Sequence, residues 1–250
     1  DQTLEKESTS KLNLYISEDV FLNELICAVK YKSSFVTARE ELVLYLGYYA
    51  GLRSHEVNYE KNLRLDFLRK ELPFDKESHV PKSLEIGIYG KSSRRSPSKK
   101  YRILIIPPIL TEKIYKFIHG HAKEIKDGPL ICQKDGSILK SVQHAGDTFG
   151  KCRMQLNVDN PSCLDWNNRE FHTLRGCFAT NLVAWCYDNG KDPWVVVPTY
   201  MGHTNRETTF NYIFFEAILN NRHERVEELS LLHSEWADKY MSTSDIIYGE

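Results

Sequence analysis

Apolar residues recur every three or four positions along most of the chain, which is the spacing of one face of an α-helix. Ser17 can cap the first such helix, over residues 20–29. Gly51 and Gly202 each stop a helix, and Pro193 can begin one at its first turn. Further helices are predicted over residues 39–50, 110–119, from Ser137 or Ser141 to about 154, 172–186, 193–201 and 206–217.

Three short stretches instead alternate apolar and polar residues, which is typical of strands. They are Leu63–Phe67, Leu84–Tyr89 and Tyr101–Ile106, and a loop rich in Ser, Arg, Pro and Lys joins the last two. The pattern predicts an α+β domain that is mostly α-helical, with a small antiparallel three-stranded sheet. Lys91 then lies at the end of the second strand.

The composition is that of an ordinary soluble globular protein, with 41% hydrophobic and 27% charged residues. No apolar run approaches the ~20 residues of a membrane span, so no membrane partner is expected. Six cysteines are scattered without a CxxC pair, which predicts neither a zinc site nor a disulfide framework and favours a reducing cytoplasm. The chain opens at Asp1 without a methionine or a visible signal peptide, so we expect it to be part of a longer protein.

The charge is unevenly distributed. A net charge of -1 argues weakly against a nucleic-acid partner, but distribution matters more than the sum. Six of the twelve residues from Lys91 to Arg102 are basic. Such a run is commonly a solvated loop. Beside the motifs described next, we favour a hairpin that contacts DNA phosphates, with the candidate contacts Arg94, Arg95, Lys99 and Lys100.

Candidate chemistry is concentrated in three motifs near the C-terminal end, HTLRG, MGH and TTFNY. They contain two imidazoles, a permanent cation and a phenol, and a second arginine stands upstream in GLRSHEV. A guanidinium stays charged and can bind two non-bridging oxygens of a phosphodiester at once. A tyrosine beside it is a candidate nucleophile on phosphorus. The residues are His172, Arg175, His203, Tyr212 and Arg53.

With Lys91 of YGKSS between them, these motifs in this order resemble the catalytic domain of tyrosine recombinases, the phage-integrase family. The resemblance runs from about Ser17 to Tyr212. It implies a catalytic domain over residues 1–218 and a C-terminal helical tail over 219–250, and the family's N-terminal core-DNA-binding domain is expected to be absent from this chain. The chain departs from the family at Gly176-Cys177, where histidine and serine or threonine are common.

The resemblance implies a role for each residue. The two arginines would bind the scissile phosphate, the tyrosine would attack it, and Glu56 would face back to hold nearby groups. One histidine would accept a proton, the other would hydrogen-bond the phosphate, and the lysine would protonate the departing 5′ oxygen. The arginines are Arg53 and Arg175, and the tyrosine is Tyr212. The histidine that accepts a proton is His172, the histidine that binds the phosphate is His203, and the lysine is Lys91.

Other residues compete for two of these roles. Tyr200 is the nearest rival of Tyr212, which we prefer because it stands one helix beyond the MGH motif, at the family's spacing. Lys99 and Lys100 are substitutes for Lys91 in the same basic stretch.

The implied function is a site-specific recombinase or integrase of a mobile element, which cuts and rejoins DNA through a 3′-phosphotyrosyl intermediate. No metal ion and no other cofactor is expected. The expected partners are double-stranded DNA with a specific recombination site and further copies of the chain, as a homotetramer on DNA and a monomer in solution. The expected location is the cytoplasm, with the nucleoid when bound to DNA. A type IB topoisomerase, which would relax plasmids without a specific site, and a non-catalytic DNA-binding relative remain alternatives.

The tail carries one more pattern, an apolar stripe at helical spacing between His223 and Tyr240. Acids flank the stripe, so this helix is not expected to lie on DNA. It either folds back onto its own domain or docks into a neighbouring subunit, which would close a ring of protomers. The stripe consists of Val226, Leu229, Leu232, His233 and Trp236.

Overall fold

The computed structural model describes residues 14–72, 82–90, 101–203 and 205–247 of the chain, with side chains up to Glu235. These residues form a mostly helical α+β fold with a small antiparallel sheet, as predicted. No described helix combines the length and the apolar character that crossing a membrane requires. The elements are α1 (Glu18–Val20, continued by a π-helical turn over Phe21–Leu25), α2 (Ser34–Ala50), α3 (Ser54–Val57), α4 (Leu65–Glu71), β1 (Leu84–Tyr89), β2 (Tyr101–Ile106), α5 (Pro108–Gly120), α6 (His144–Val158), α7 (Phe171–Asp188), α8 (Pro193–Met201), α9 (Arg206–Leu219) and α10 (His223–Ile247).

The two strands begin and end where the alternation predicts. They run antiparallel, with Leu84 opposite Ile106 and Tyr89 opposite Tyr101. The side chains of Leu104 and Ile106 are buried, so one face of the sheet rests on the larger apolar core. Tyr101, whose side chain points the other way, is exposed.

The third predicted strand, Leu63–Phe67, is wrong. Leu63 has a positive φ of 45°, and the chain after it turns into helix α4. Leu65 and Leu68 are buried at helical spacing, whereas Phe67 is 39% exposed. Five residues are too few to separate a strand from a helix by periodicity. The sheet formed by the described residues therefore has two strands.

Glycines in the left-handed region end the two helices that precede site residues. Gly51 ends α2 at a φ of 60°, and a Cβ there would lie 2.4 Å from a ring carbon of Phe178. Gly202 ends α8 at a φ of 63°. Both turns need glycine because other residues rarely adopt this conformation without strain.

Helix α6 begins at His144 and not, as predicted, at Ser137 or Ser141. The Ser141 hydroxyl accepts the backbone N–H of Gln143 at 3.2 Å, and its carbonyl accepts from Asn58 at 2.7 Å. These bonds hold Ser141 in a turn, because its side chain competes with helix formation.

Helix α7 joins two apolar cores. Leu174 belongs to the larger core, which is built on α2, α5, α6 and the sheet. Val183 belongs to a smaller core, which is formed with α8, α9 and α10. The first two turns of α7, which carry His172 and Arg175, are therefore held in place by packing of Phe171, Leu174 and Cys177 into the larger core.

The described part of α10 packs against its own domain. Leu229 is 5% exposed, Val226 packs against the smaller core, and the His233 ring lies 5.4 Å from that of Phe210. The side chain of Trp236 lies outside the described residues. Of the two alternatives for the tail, the geometry up to residue 235 matches the first.

Candidate active site

Arg53 is held by the turn between α2 and α3. It is the N-cap residue of α3, and its backbone N–H donates to the Glu56 carboxylate at 2.9 Å. Its guanidinium donates to the same carboxylate at 3.1 Å. The prediction that Glu56 faces back to hold nearby groups is thus confirmed. Glu56 is buried while the Arg53 side chain is 32% exposed, so N–H groups of the guanidinium remain for an anion.

Arg175 connects the two turns that carry the other site residues. Its guanidinium is buried and donates from Nη1 to the carbonyl of Gly51 and from Nη2 to that of Met201. These carbonyls lie two residues before Arg53 and two residues before His203. A guanidinium has five N–H groups, so these two bonds leave others for a ligand. Arg175 therefore fixes the site as well as adding charge to it.

The His203 ring lies against the candidate nucleophile. Its Nδ1 is 3.2 Å from the Thr209 hydroxyl, which is buried at the start of α9. Its ring is nearly parallel to that of Tyr212, with the centroids 5.8 Å apart and an interplanar angle of 13°. The turn at Gly202 thus places the imidazole of His203 beside the phenol of Tyr212.

His172 stands between two clefts. On one side a cleft is lined by Tyr212 and Gly176, and on the other a cleft is lined by Arg53 and Arg153. His172 lines both, and its side chain is exposed. Its imidazole therefore borders both the tyrosine and the upstream arginine.

The environment keeps both histidines neutral at pH 7. Burial, and then the charges of Arg175, Arg53 and Arg102, lower the pKa of His203 to about 4. Although His172 is accessible to solvent, partial desolvation of its imidazole between the two clefts, and then the charge of Arg175, lower its pKa from the ordinary value of 6.5. A neutral imidazole can accept a proton or donate one hydrogen bond, depending on which nitrogen carries the hydrogen.

The candidate nucleophile is protonated at neutral pH. Burial raises the pKa of Tyr212, although Arg175 and Arg53 oppose this. Attack by its oxygen therefore requires a base to take the proton. Burial and the nearby Arg53 lower the pKa of Arg175 to about 9, so its guanidinium keeps its charge at pH 7.

A third arginine, which the sequence motifs did not reveal, belongs to the site. Arg102 donates from Nη1 and Nη2 to the two Glu56 oxygens at 2.7 and 2.8 Å. Burial alone would raise the pKa of Glu56, but Arg102 and then Arg53 lower it to about 2. The alternation of β2 could have revealed this residue, since Arg102 shares a strand face with Leu104 and Ile106, which are buried.

The structure brings five of the predicted residues together and does not describe the others. Arg53, His172, Arg175, His203 and Tyr212 surround one region, and the charges of Arg53 and Arg175 lie close enough to lower the pKa values of His172, His203 and Tyr212. Within the described ranges, no three His, Cys, Asp or Glu side chains form a group that could hold a metal ion. The predicted residues outside the described ones are Lys91, Arg94, Arg95, Lys99 and Lys100.

The departure at Gly176-Cys177 concerns packing next to the tyrosine. A Cβ at position 176 would lie 3.9 Å from Cε1 of Tyr212, so a large side chain there would press on the ring. Cys177 is buried, and its sulfur accepts the backbone N–H of Ile16 at 3.4 Å. These two residues shape the cleft and leave the five site residues in place.

No protein-family model and no curated protein matches the sequence. Solved structures do match. One is the XerH site-specific recombinase bound to palindromic difH substrate in a post-cleavage complex, with a TM-score of 0.55, 20% identity, and coverage of 86% of this chain and 52% of that chain. The chain has the fold of a tyrosine recombinase catalytic domain.

Two further structures show the same recombinase fold. The pre-cleavage complex of XerH with difH substrate gives a TM-score of 0.53 and 20% identity, over 80% of this chain and 49% of that one. The XerA recombinase gives 0.51 and 19%, over 88% of this chain and 63% of that one. The chain thus spans about half to under two thirds of the recombinases that it matches.

Proposed function

We propose that the chain is the catalytic domain of a site-specific DNA recombinase or integrase, with Tyr212 as its nucleophile. The proposal is carried by the convergence of two arginines and two neutral histidines on one tyrosine. It is also supported by the likeness of the fold to XerH, a recombinase that was solved on its difH substrate before and after cleavage.

In the proposed first step, the Tyr212 oxygen attacks phosphorus in one DNA strand and forms a 3′-phosphotyrosyl bond, while the bond from phosphorus to the 5′ oxygen breaks. The phenol proton passes to the neutral imidazole of His172, and Lys91 gives a proton to the departing 5′ oxygen. In the second step a 5′ hydroxyl of the partner strand attacks the phosphotyrosine, and the protons return. The number of ester bonds is unchanged, so no ATP is consumed.

The other site residues stabilise the transition state. Phosphoryl transfer depends mainly on positioning and on charge that neutralises the non-bridging oxygens. Arg53 offers N–H groups at the surface and Arg175 supplies a second cation behind it, so the two can serve where other enzymes use a metal ion. We assign the hydrogen of the Thr209 hydroxyl to a bond onto Nδ1 of His203. The N–H of Nε2 is then free to donate to the phosphate.

The proposed partners are double-stranded DNA with a specific recombination site and, during strand exchange, three further copies of the chain. The free protein is proposed to be a monomer, and the reaction is proposed to move a mobile element. Exchange between two duplexes needs two cleavages in each, which a tetramer on DNA provides. This assembly distinguishes the proposal from a type IB topoisomerase, which rejoins the strand that it cut.

Trapping of a covalent adduct tests the proposal. The full chain is incubated with a pool of short duplexes that have random central sequences and carry a nick, so that cleavage releases a short fragment and cannot be reversed. We expect an adduct stable in SDS that peptide mapping assigns to Tyr212. Tyr212→Phe should bind the recovered DNA and form no adduct.

Tyr200→Phe is the matched control, since Tyr200 lines a different cleft, on the other side of α7. It should keep the adduct. An adduct on Tyr200, or one that persists in Tyr212→Phe, would refute the assignment of the nucleophile. Absence of any adduct across the pool, with DNA bound, would favour a non-catalytic DNA-binding relative.

A further inference from the structure

Arg102 lies at the base of the two-stranded sheet, where it meets the Arg53 turn. Arg102 stands opposite Ile88 in the sheet, and its two Nη groups donate to the two carboxylate oxygens of Glu56. The side chain of Arg102 is 9% exposed and that of Glu56 is fully buried. A bidentate arginine–carboxylate ion pair of this kind is strongly directional, so Arg102 fixes the plane of the Glu56 carboxylate.

The Glu56 carboxylate in turn fixes Arg53. It accepts both the backbone N–H and the guanidinium of Arg53. The side-chain amide of Asn62 donates to the Glu56 carbonyl at 3.0 Å and to the carbonyl of Tyr89, in the other strand β1, at 3.1 Å. The short helix α3 is thus attached to both strands of the sheet, through Asn62 to β1 and through Arg102 to β2.

Arg102 also supports the turn that leads to His203. A Cβ added at Gly202 would lie 3.3 Å from Cδ of Arg102, so the aliphatic part of the arginine packs under that turn. One side chain therefore contacts the turn before His203 and, through Glu56, the arginine that faces the phosphate.

The Arg102–Glu56 ion pair is a poor means of stabilising the fold alone. Burying two charges costs several kcal/mol of solvation, and apolar replacements are often neutral or stabilising. In addition, the buried Nε of Arg102 finds no hydrogen-bond partner among the described residues. What the pair provides is a defined direction for Glu56 and hence for Arg53.

We propose that Arg102 is a positioning residue for strand cleavage, which acts through Glu56 on the Arg53 guanidinium. The proposal rests on the proposed function. A displacement of about 1 Å in a site that works by positioning can reduce the rate about a hundredfold. Both Nη groups of Arg102 bind Glu56 and its side chain is only 9% exposed, so its loss should change the rate of cleavage and leave DNA affinity unchanged.

The test measures single-turnover cleavage of the nicked duplex recovered with wild-type protein, together with the Kd of the unnicked duplex. Arg102→Met keeps the length of the side chain and removes the charge. We expect cleavage about 10 to 100 times slower, as for other residues that orient a catalytic group, with Kd within about twofold. Arg102→Lys can make one bond to Glu56 and should restore part of the rate.

A double-mutant cycle with Arg53→Ala provides the readout that a purely structural role would not give. If Arg102 acts through Arg53, its loss should slow Arg53→Ala by less than about threefold, because coupled residues are not additive. Independent, multiplying effects would mean that Arg102 acts by another route, such as its contact with the Gly202 turn, and would overturn the proposal. Wild-type rates in Arg102→Met would also overturn it. Should Arg102→Met fail to fold, Arg102→Lys in both backgrounds gives the same comparison.

Arg39→Met is the matched control, because Arg39 and Glu40 form an equally buried pair, with side chains 7% and 2% exposed, on α2. It should lose stability and retain the cleavage rate at a temperature where both variants are folded. Equal loss of rate in Arg39→Met would mean that any buried pair matters, which contradicts positioning. A wild-type chain without an adduct would instead refute the proposed function itself, which separates the two failures.

Discussion

Replacing Glu56 with glutamine should remove a definite part of the dependence of stability on pH. Burial would raise the pKa of this carboxyl above its ordinary 4.5, but Arg102 and Arg53 hold it at about 2. A lowered acid pKa contributes stability that is fully present above the unfolded value and is lost as the pH falls to the folded value. The window therefore runs from about pH 4.5 down to about pH 2. Since one pKa unit is about 1.4 kcal/mol, the contribution is about 3 kcal/mol.

The glutamine variant has a second effect at neutral pH. It leaves the Arg102 guanidinium buried without its counter-charge, and breaking a buried pair from one side costs about 3–5 kcal/mol. Urea unfolding followed by circular dichroism, repeated across this pH window, measures both effects. The free energy of unfolding of the wild type should fall steeply as the pH is lowered. That of Glu56→Gln should be lower at neutral pH and should fall less.

Glu228→Gln is the control for the loss of one carboxylate, because Glu228 is 64% exposed in its pair with Arg225. Exposed pairs contribute about 0–1 kcal/mol, so this variant should follow the wild-type curve closely. A wild-type slope in Glu56→Gln between about pH 4.5 and 2 would refute the assignment of this pH dependence to Glu56. Equal free energies of unfolding for Glu56→Gln and Glu228→Gln across this pH range would refute it as well.

Three other results are expected. If Lys91 is the general acid, Lys91→Ala should cleave an ordinary phosphodiester slowly and regain most of the rate with sulfur at the bridging 5′ position; equal defects would reduce Lys91 to a DNA contact. Thr209→Val removes the hydroxyl that sets the His203 tautomer, so single-turnover cleavage should slow about tenfold or more with unchanged Kd, and an unchanged rate would refute the tautomer. Deleting residues 220–250 removes the buried Leu229, so the monomer should melt at a lower temperature by calorimetry; an unchanged Tm with loss of assembly would restore the hypothesis of docking between subunits.

Much of the fold follows from local rules. The ends of α2 and α8 were predictable because Gly51 and Gly202 adopt left-handed conformations that other residues avoid. Both strands of the sheet were predictable because six alternating residues between turns admit few other structures. The failure at Leu63–Phe67 has the opposite cause, since the burial of Leu68 belongs to a helical pattern that five residues do not display.

The site was predictable as a set of residues and not as a network. His172, Arg175, His203 and Tyr212 were predicted because their motifs resemble those of tyrosine recombinases in the same order, and helical spacing accounts only for His172 lying beside Arg175. The partner of Glu56 lies 46 residues further along the chain, on a strand whose position depends on tertiary packing. No local pattern encodes such a pair. For the same reason, the bonds from Arg175 to the two carbonyls could only be found in the folded chain.

The division between two cores has a consequence for control of the proposed reaction. Arg53 is fixed to the larger core, whereas α9, with Tyr212, rests on the smaller one that α10 completes. Proteins open in cooperative parts of unequal stability, and a small part can open while the rest stays folded. Opening of the smaller core would displace Tyr212, the proposed nucleophile, together with His203, and leave Arg53 in place beside the larger core. Amide hydrogen exchange should then be faster in α9 than in α2. Any contact that stabilises the packing of α10 on the smaller core should slow exchange in α9 and raise the fraction of molecules in which Tyr212 lies beside Arg175 and His203.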